Sequence, residues 1–268
     1  MTLLKDRLDV ILVEKGLFQS REKAKSAIMA GIVYVDGQRI DKAGTTVSDE
    51  SEFFLKEDIC PYVSRGGLKL EKALEEFDFK LDDTVCADIG ASTGGFTDCM
   101  LKKGATKVFA IDVGYGQLDW KLRNDPRVIN MEKTNIRYLD LETIDKDIDF
   151  ISIDVSFISL KLVFPVASQM LSQDGSIVCL VKPQFEAGRE QVGKKGIVRD
   201  INVHKEVIRN VIGYAETCGL YPHGLTFSPV TGAKGNIEYL LYLKKVESES
   251  FHDGLVEDIA DMSHETLD

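Results

Sequence analysis

Four charged residues, Lys69, Asp154, Lys182 and Glu238, lie far apart in the chain, yet each borders a run of apolar residues. Asp154 ends Asp149-Phe-Ile-Ser-Ile-Asp154, and Lys182 ends Ser176-Ile-Val-Cys-Leu-Val-Lys182 just before Pro183. Glu238 stands near the start of the strand-like run Gly235-Asn-Ile-Glu-Tyr-Leu-Leu-Tyr-Leu243. Lys69 follows the turn Ser64-Arg65-Gly66-Gly67, between apolar neighbours on the first turn of a helix. Ligands of open α/β sheets lie at the carboxyl ends of parallel strands, so Asp154 and Lys182 are expected to converge there. Glu238 joins them if its strand runs antiparallel. A single charge at a strand end is usually a solvated cap. Two lysines and two acids gathered at one edge would form a compensated buried network, which costs desolvation and returns little stability. Networks of that kind are characteristic of functional sites. The chemistry this one suits is removal of a proton from a weakly acidic hydroxyl, with Lys182 deprotonated at the moment of attack and both acids orienting the ammonium groups.

A second constellation supplies a ligand site. Val85-Cys-Ala-Asp-Ile-Gly-Ala-Ser-Thr-Gly-Gly-Phe96 predicts a buried strand, a tight turn and a helix start. Gly90, Gly94 and Gly95 let backbone approach a ligand closely, and free N–H groups at the helix start can face its polar end. Asp112 ends the next strand-like run, Lys107–Val113, where a doubly wound sheet places a carboxylate to grip both ribose hydroxyls of an adenosine cofactor. The turn is not Gly-x-Gly-x-x-Gly, and Asp88 at its start would repel a pyrophosphate. An acid there suits a cationic ligand bearing an amino acid, so S-adenosylmethionine fits better than NAD. Asp88, Gly90, Ala91, Ser92, Gly94, Gly95, Phe96, Asp112 and Asn135 are the expected cofactor residues.

The elements that must hold these residues follow from periodicity. Alternating strand and helix patterns predict a seven-stranded sheet over about 64–246, with Leu220–Phe227 and Ile237–Leu243 adjacent and the last strand antiparallel. Ahead of it, the chain has a different grammar. Leu8, Ile11 and Leu12 share a helical face within Arg7–Lys15, and Ser20 is a good N-cap for a helix over Arg21–Met29. Ile32–Val35, Asp36-Gly37 and Gln38–Ile40 predict a hairpin. Arg7, Lys15, Arg21, Lys23, Lys25 and Arg39 are expected to share one side of this module. The segment Lys56–Val63 carries charge and a proline and reads as the junction. The expected organisation is 1–60, a linker at 61–66, a main domain at 67–246 and an acidic tail or helix at 247–268.

Composition sets the outer bounds. With 268 residues and 44% hydrophobic content, the chain can build two real cores. Five cysteines are odd in number and widely spaced, without a Cys-x-x-Cys pair, so neither a zinc site nor a disulfide framework is expected. No apolar run is long enough to span a bilayer and no secretory pattern opens the chain, which points to the cytoplasm. The net charge of −11 argues against a nucleic-acid partner until its distribution is considered. Eight of the acids fall in the last 22 residues, which hold no lysine or arginine, and local patches decide phosphate binding.

The front module closely resembles the S-four-type RNA-binding domain through RLDVILVEKGL, SREKAKSAIMAG and the Gly31–Gly37 hairpin. That resemblance implies that its second helix and hairpin contact folded RNA through phosphate and shape. Arg7, Ser20, Arg21, Lys25 and Arg39 are its expected RNA contacts, with Arg65 beside the main domain. The whole chain is similar to the TlyA family: an S-four-type domain joined to an FtsJ-like, Rossmann-like class I methyltransferase domain. The matching strings are VSRGGLKL, DIGASTGGFT, DVGYGQL, RNDPRV, IDVSFISL, LVKPQFEAG and GNIEYLLYL. The resemblance implies S-adenosylmethionine-dependent methylation of a ribose 2′-hydroxyl, on a cytidine of ribosomal RNA. The family's Lys-Asp-Lys-Glu tetrad falls on Lys69, Asp154, Lys182 and Glu238. Some members carry an arginine and a tryptophan in the linker, where this chain has Cys60 and Tyr62.

Rival readings, a base-modifying methyltransferase first among them, are weaker. Amino-group methylation usually shows a Pro-Pro-aromatic turn where this chain has Val155-Ser-Phe157, and ring-carbon methylation wants a cysteine at a strand end, whereas Cys179 is mid-strand and Cys99 mid-helix. The haemolysin label given to family members would need a spanning segment or signal. An RNA-binding assembly factor with a silent methyltransferase fold would not need an intact tetrad.

Overall fold

The computed structural model describes residues 5–18, 20–29, 31–55, 60–144 and 148–267. Residues 56–59, read as the start of the junction, and Asp268 of the tail lie outside them. The chain divides into two compact units, Met1–Ile59 and Cys60–Asp268.

In the first unit, strand β1 (Lys5–Arg7) leads into helix α1 (Leu8–Glu14), which buries Leu8, Ile11 and Leu12. Helix α2 (Arg21–Met29) packs Ala24, Ala27 and Ile28 into the same core. Ser20 Oγ accepts the Lys23 N–H at 3.3 Å, the geometry of an N-cap. Strands β2 (Val33–Val35) and β3 (Gln38–Arg39) form the expected hairpin, with Asp36 at φ 50° and Gly37 at φ 77° in a primed turn. Strands β4 (Thr46–Ser48) and β5 (Phe53–Leu55) went unpredicted: β4 pairs with β1, and β5 pairs with β2. Three residues are too few to carry a period, so only their partners reveal them.

In the second unit, helix α3 (Gly66–Glu76) opens on the segment expected as linker. Tyr62 is buried, and Val63 N–H donates to Asp98 at 2.8 Å, so residues 61–66 are packed structure rather than a tether. The elements that follow are β6 (Val85–Ile89), α4 (Gly95–Lys102), β7 (Lys107–Ile111), α5 (Trp120–Arg123), β8 (Val128–Met131) and β9 (Ile148–Ile153). Then come α6 (Phe164–Met170), β10 (Leu171–Val181), α7 (Pro183–Glu186), α8 (Ile201–Glu216), β11 (Tyr221–Phe227), β12 (Tyr239–Lys244) and α9 (Gly254–Leu267). One seven-stranded sheet has the order β11-β12-β10-β9-β6-β7-β8. β12 runs antiparallel to both neighbours, and the other pairings are parallel. This is the expected Rossmann-like methyltransferase sheet, with its last strand reversed. Chain order turns back between β6 and β9, which makes their carboxyl ends the topological switch point.

Helices cover both faces. Leu70, Leu74, Cys99 and Met100 pack one face, and Phe164, Ala167, Val207 and Val211 pack the other. The acidic tail, expected as a solvated helix or a frayed end, is a docked helix: α9 buries Val256, Ile259, Ala260 and Ser263. Its acids meet basic partners on α8. Lys205 pairs with Glu257 and Asp261, and Arg209 pairs with Asp253 and Glu257.

Candidate active site

The site begins where β6 ends. Gly90 has φ 91°, and a Cβ there would lie 2.4 Å from the carbonyl oxygen of Asp154. Any side chain would push the ends of β6 and β9 apart. At Gly95 a Cβ would meet Gly67 N at 2.9 Å, so the start of α4 can sit against α3. These two glycines are demanded by protein packing as much as by a ligand. Gly94 is also left-handed, and Ala91 and Phe96 are buried within the turn.

Asp88, expected among the cofactor residues, is part of the lining of the cleft at the end of β6. Its carboxylate is fully buried and faces protein donors: Thr97 N–H at 2.9 Å, Thr97 Oγ at 2.7 Å and Ser152 Oγ at 2.9 Å. Burial pushes it up to about 6, opposed by those hydrogen bonds. In this conformation it clamps the turn to α4 and β9.

Asp112 sits just past β7. Its two oxygens accept from Ser92 N–H at 2.8 Å and Gly114 N–H at 2.7 Å, and a carboxylate retains further acceptor capacity. It lines a cavity of about 420 Å³ whose walls include Ile111, Val113, Asn135, Ile136 and Phe157. Asn135 caps a short turn by accepting from Arg137 N–H at 3.2 Å. A second cavity of about 460 Å³ meets the first at Gly90, Ser92 and Asp154, and its wall carries Arg65, Lys69 and Lys234.

The four charged residues form two close pairs. Lys182 Nζ lies 2.5 Å from Asp154 Oδ1, and Lys69 Nζ lies 2.6 Å from Glu238 Oε2. The reversed direction of β12 brings Glu238 in: Tyr239 pairs with Val181, so Glu238 and Lys182 stand at the same edge of the sheet. Lys182 is buried beside this edge, and Glu238 more so. The Lys182–Asp154 contact is an ion pair, and the ammonium donates to Ser156 Oγ at 3.0 Å. Gln184 Nε2 donates to Glu238 Oε1 at 3.2 Å. The sequence did not single out Ser156, Gln184, Thr97 or Ser152 as site groups. A polar residue within two positions of a strand-end charge was the available signal for the first two.

Of the residues expected to touch RNA, Arg7, Arg21 and Lys25 gather around one carboxylate, that of Asp9. Asp9 is buried and accepts from Arg7 Nε at 2.9 Å and Arg21 Nη2 at 2.8 Å, with Lys25 Nζ at 3.9 Å. The Arg7 guanidinium, then Arg21, holds Asp9 down at about 2 against its own desolvation. Both guanidiniums remain half exposed. Ser20 serves as a helix cap, Arg39 lies over Gly31, and Arg65 is exposed at the rim of the second cavity.

The rival chemistries find no support in the cysteines. Burial pushes Cys99 up to about 12 and raises Cys179 as well, which is the behaviour of core thiols rather than nucleophiles. Among the described residues no helix is long and apolar enough to cross a membrane.

Comparison with known proteins agrees over both units. The family description for FtsJ-like methyltransferases matches residues 62–245, and that for the S4 domain matches residues 6–53. A Bacillus subtilis protein, YqxC, provisionally named an rRNA methyltransferase, is 50% identical over 272 residues, covering 100% of this chain and 97% of its own length. The 16S/23S rRNA (cytidine-2′-O)-methyltransferase TlyA of Mycobacterium tuberculosis is 45% identical over 239 residues, covering 89% of each chain. A solved Streptococcus thermophilus protein, provisionally named a hemolysin, superposes with a TM-score of 0.78 at 46% identity, covering 98% of this chain and 97% of that one.

Proposed function

This chain belongs to the TlyA family, an S4 domain followed by an FtsJ-like methyltransferase domain, and on that premise we propose that it methylates a ribose 2′-hydroxyl, on a cytidine of ribosomal RNA, at the expense of S-adenosylmethionine. The observation that carries the reading is the pair of lysine–carboxylate contacts beside the switch-point cleft, Lys182–Asp154 and Lys69–Glu238, each with one partner buried and the other largely so. Stability does not account for them, because a buried ion pair seldom returns more than its desolvation.

The cleft suits the cofactor. The apolar walls at Ile111 and Ile136 would take the adenine, and Asp112 would accept the ribose hydroxyls. The turn at Gly90–Gly94 would leave the cofactor's amino-acid end facing the second cavity. When bound, S-adenosylmethionine supplies an electrophilic methyl group on a sulfonium. Lys182 Nζ, once its ammonium has released a proton to solvent, takes the proton from the attacking hydroxyl. Asp154 and Ser156 hold that nitrogen in place, and Asp154 accepts the ammonium once it forms. Lys69, held by Glu238, lines the acceptor side and adds positive charge where an RNA backbone would lie. The front unit, with its half-exposed arginines, supplies the grip on ribosomal RNA or a ribosomal subunit.

Transfer of labelled methyl to ribosomal RNA or subunits, with the modified nucleotides mapped, tests the reading. No transfer by the wild-type protein to any of these substrates would overturn it. Lys182→Ala should slow single-turnover transfer by about 10²–10⁴-fold with cofactor affinity unchanged. Lys182→Arg should be as inactive, because a guanidinium stays protonated. A fully active Lys182→Arg enzyme would leave the activity standing and remove Lys182 as its base.

A further inference from the structure

Directly after Lys182, the chain makes a single helical turn, α7, and the last residue of that turn reaches back to the neighbouring loop. Glu186 Oε2 accepts from Ser159 Oγ at 2.7 Å, and Oε1 accepts from Leu160 N–H at 2.8 Å. The loop so held runs from Asp154 to Leu160 and carries Ser156, so both partners of the Lys182 ammonium lie on it. Within the loop, Phe157 has φ 63°, a conformation that is an outlier for a bulky residue. Its side chain is 90% exposed, so burial of the ring does not enforce that backbone. Strained backbone persists only where its surroundings over-determine it. Two hydrogen bonds donated to one carboxylate by Ser159 and Leu160, two and three residues further on, are such a determinant. The Phe157 ring also lies 4.8 Å from that of Phe185, on the same turn as Glu186.

We propose that Glu186 is a positioning residue for the transfer reaction, fixing the Asp154–Leu160 loop against the turn that follows Lys182 so that Asp154 and Ser156 hold the amine in line. The inference rests on the methyl-transfer reading. Burial raises this carboxyl group above its usual range, against the two bonds it accepts, which is consistent with a group retained for geometry.

Single-turnover methylation by the full-length protein, alongside calorimetric cofactor binding, gives the test. Glu186→Ala should slow transfer by roughly 10²-fold, the scale expected for a misplacement of about 1 Å, while cofactor affinity stays near wild type. Glu186→Gln should recover most of the rate. Its carbonyl still accepts from Leu160 N–H, and its amide can donate to Ser159 Oγ once that hydroxyl turns. Ser159→Ala, which removes one of the two bonds to Glu186 along with the cap on Lys161 N–H and leaves the buried carboxylate in place, should give a smaller loss in the same direction and covers the case of an unstable alanine variant. A Glu186→Ala enzyme at the wild-type rate, a Glu186→Gln enzyme as slow as Glu186→Ala, or an unaffected Ser159→Ala enzyme would each overturn the positioning role. Because the wild-type rate is the reference throughout, failure of the methyl-transfer reading would show separately, as absence of any transfer.

Discussion

Each unit of this chain holds one completely buried aspartate among its described residues, and the two are treated in opposite ways. Asp9 in the first unit is enclosed by Arg7, Arg21 and Lys25, and its carboxyl group falls to about 2. Asp88 in the second has only neutral donors, Thr97 and Ser152, and rises to about 6. The cations around Asp9 stay half exposed, so the acid works as an anchor that aims charge outward. The donors around Asp88 are buried, so the acid works as a local scaffold for a turn, and its charge is a liability. A buried acid therefore says little about a site until its partners are known. Ion-pair partners that reach solvent suit recognition of an anionic surface, and neutral buried partners suit rigidity.

The largest effect expected from this contrast is in stability against pH. Asp88 has a folded value near 6 against an ordinary 3.8, so the stability it contributes is full below about 4 and is lost as pH rises through 6. Asp9, with its folded value depressed, does the reverse: its contribution is present above about 4 and fades as pH falls toward 2. Asp88→Asn removes the titration while keeping one acceptor oxygen. Relative to wild type, this variant should gain roughly 2 kcal/mol between pH 4 and pH 7, since each tenfold change in proton affinity is worth about 1.4 kcal/mol and part of the effect is already present at pH 4. Urea unfolding followed by circular dichroism at the two pH values measures the gain. Parallel pH dependence in the two proteins would mean that Asp88 is not held as described.

The contrast also explains what the sequence could reveal. The glycine turn, the sheet with its reversed last strand, and the edge that gathers Lys69, Asp154, Lys182 and Glu238 were legible because strand ends follow from local apolar runs. Topology then dictates where those ends meet. The partners were not legible. Ser152 reaches Asp88 across 64 residues, and Lys205 and Arg209 reach the acidic helix across more than 40. Asp9 lies within an apolar helical stretch, where an acid reads as a solvent-facing gap. Whether a charge is solvated, paired or buried among hydroxyls is a property of tertiary contacts, which periodicity does not encode.

A smaller effect separates aiming from charge in the first unit. Asp9→Ala removes a negative charge beside two arginines, so electrostatics alone would tighten binding to RNA. If the carboxylate serves to fix the guanidiniums, binding to folded ribosomal RNA should instead weaken, by about tenfold or ~1.4 kcal/mol. Filter binding at constant salt decides the sign. Tighter binding would reduce Asp9 to a neutralising charge.

The smallest and most specific change is Arg21→Lys. Arg21 donates through Nε at 3.2 Å and Nη2 at 2.8 Å to one oxygen of Asp9, an arrangement only a planar fork can make. Lysine keeps the charge and loses the fork, so the head group would no longer be fixed in direction. Affinity for folded ribosomal RNA should fall by roughly threefold, because pre-organisation is lost while the number of cations is not. The dependence of affinity on salt should keep its slope, since that slope counts neutralised phosphates. A titration from low to high salt with wild type and variant reads both quantities together. A shallower slope would show that Arg21 contributes by charge count, and an unchanged affinity would show that its orientation by Asp9 has no bearing on RNA.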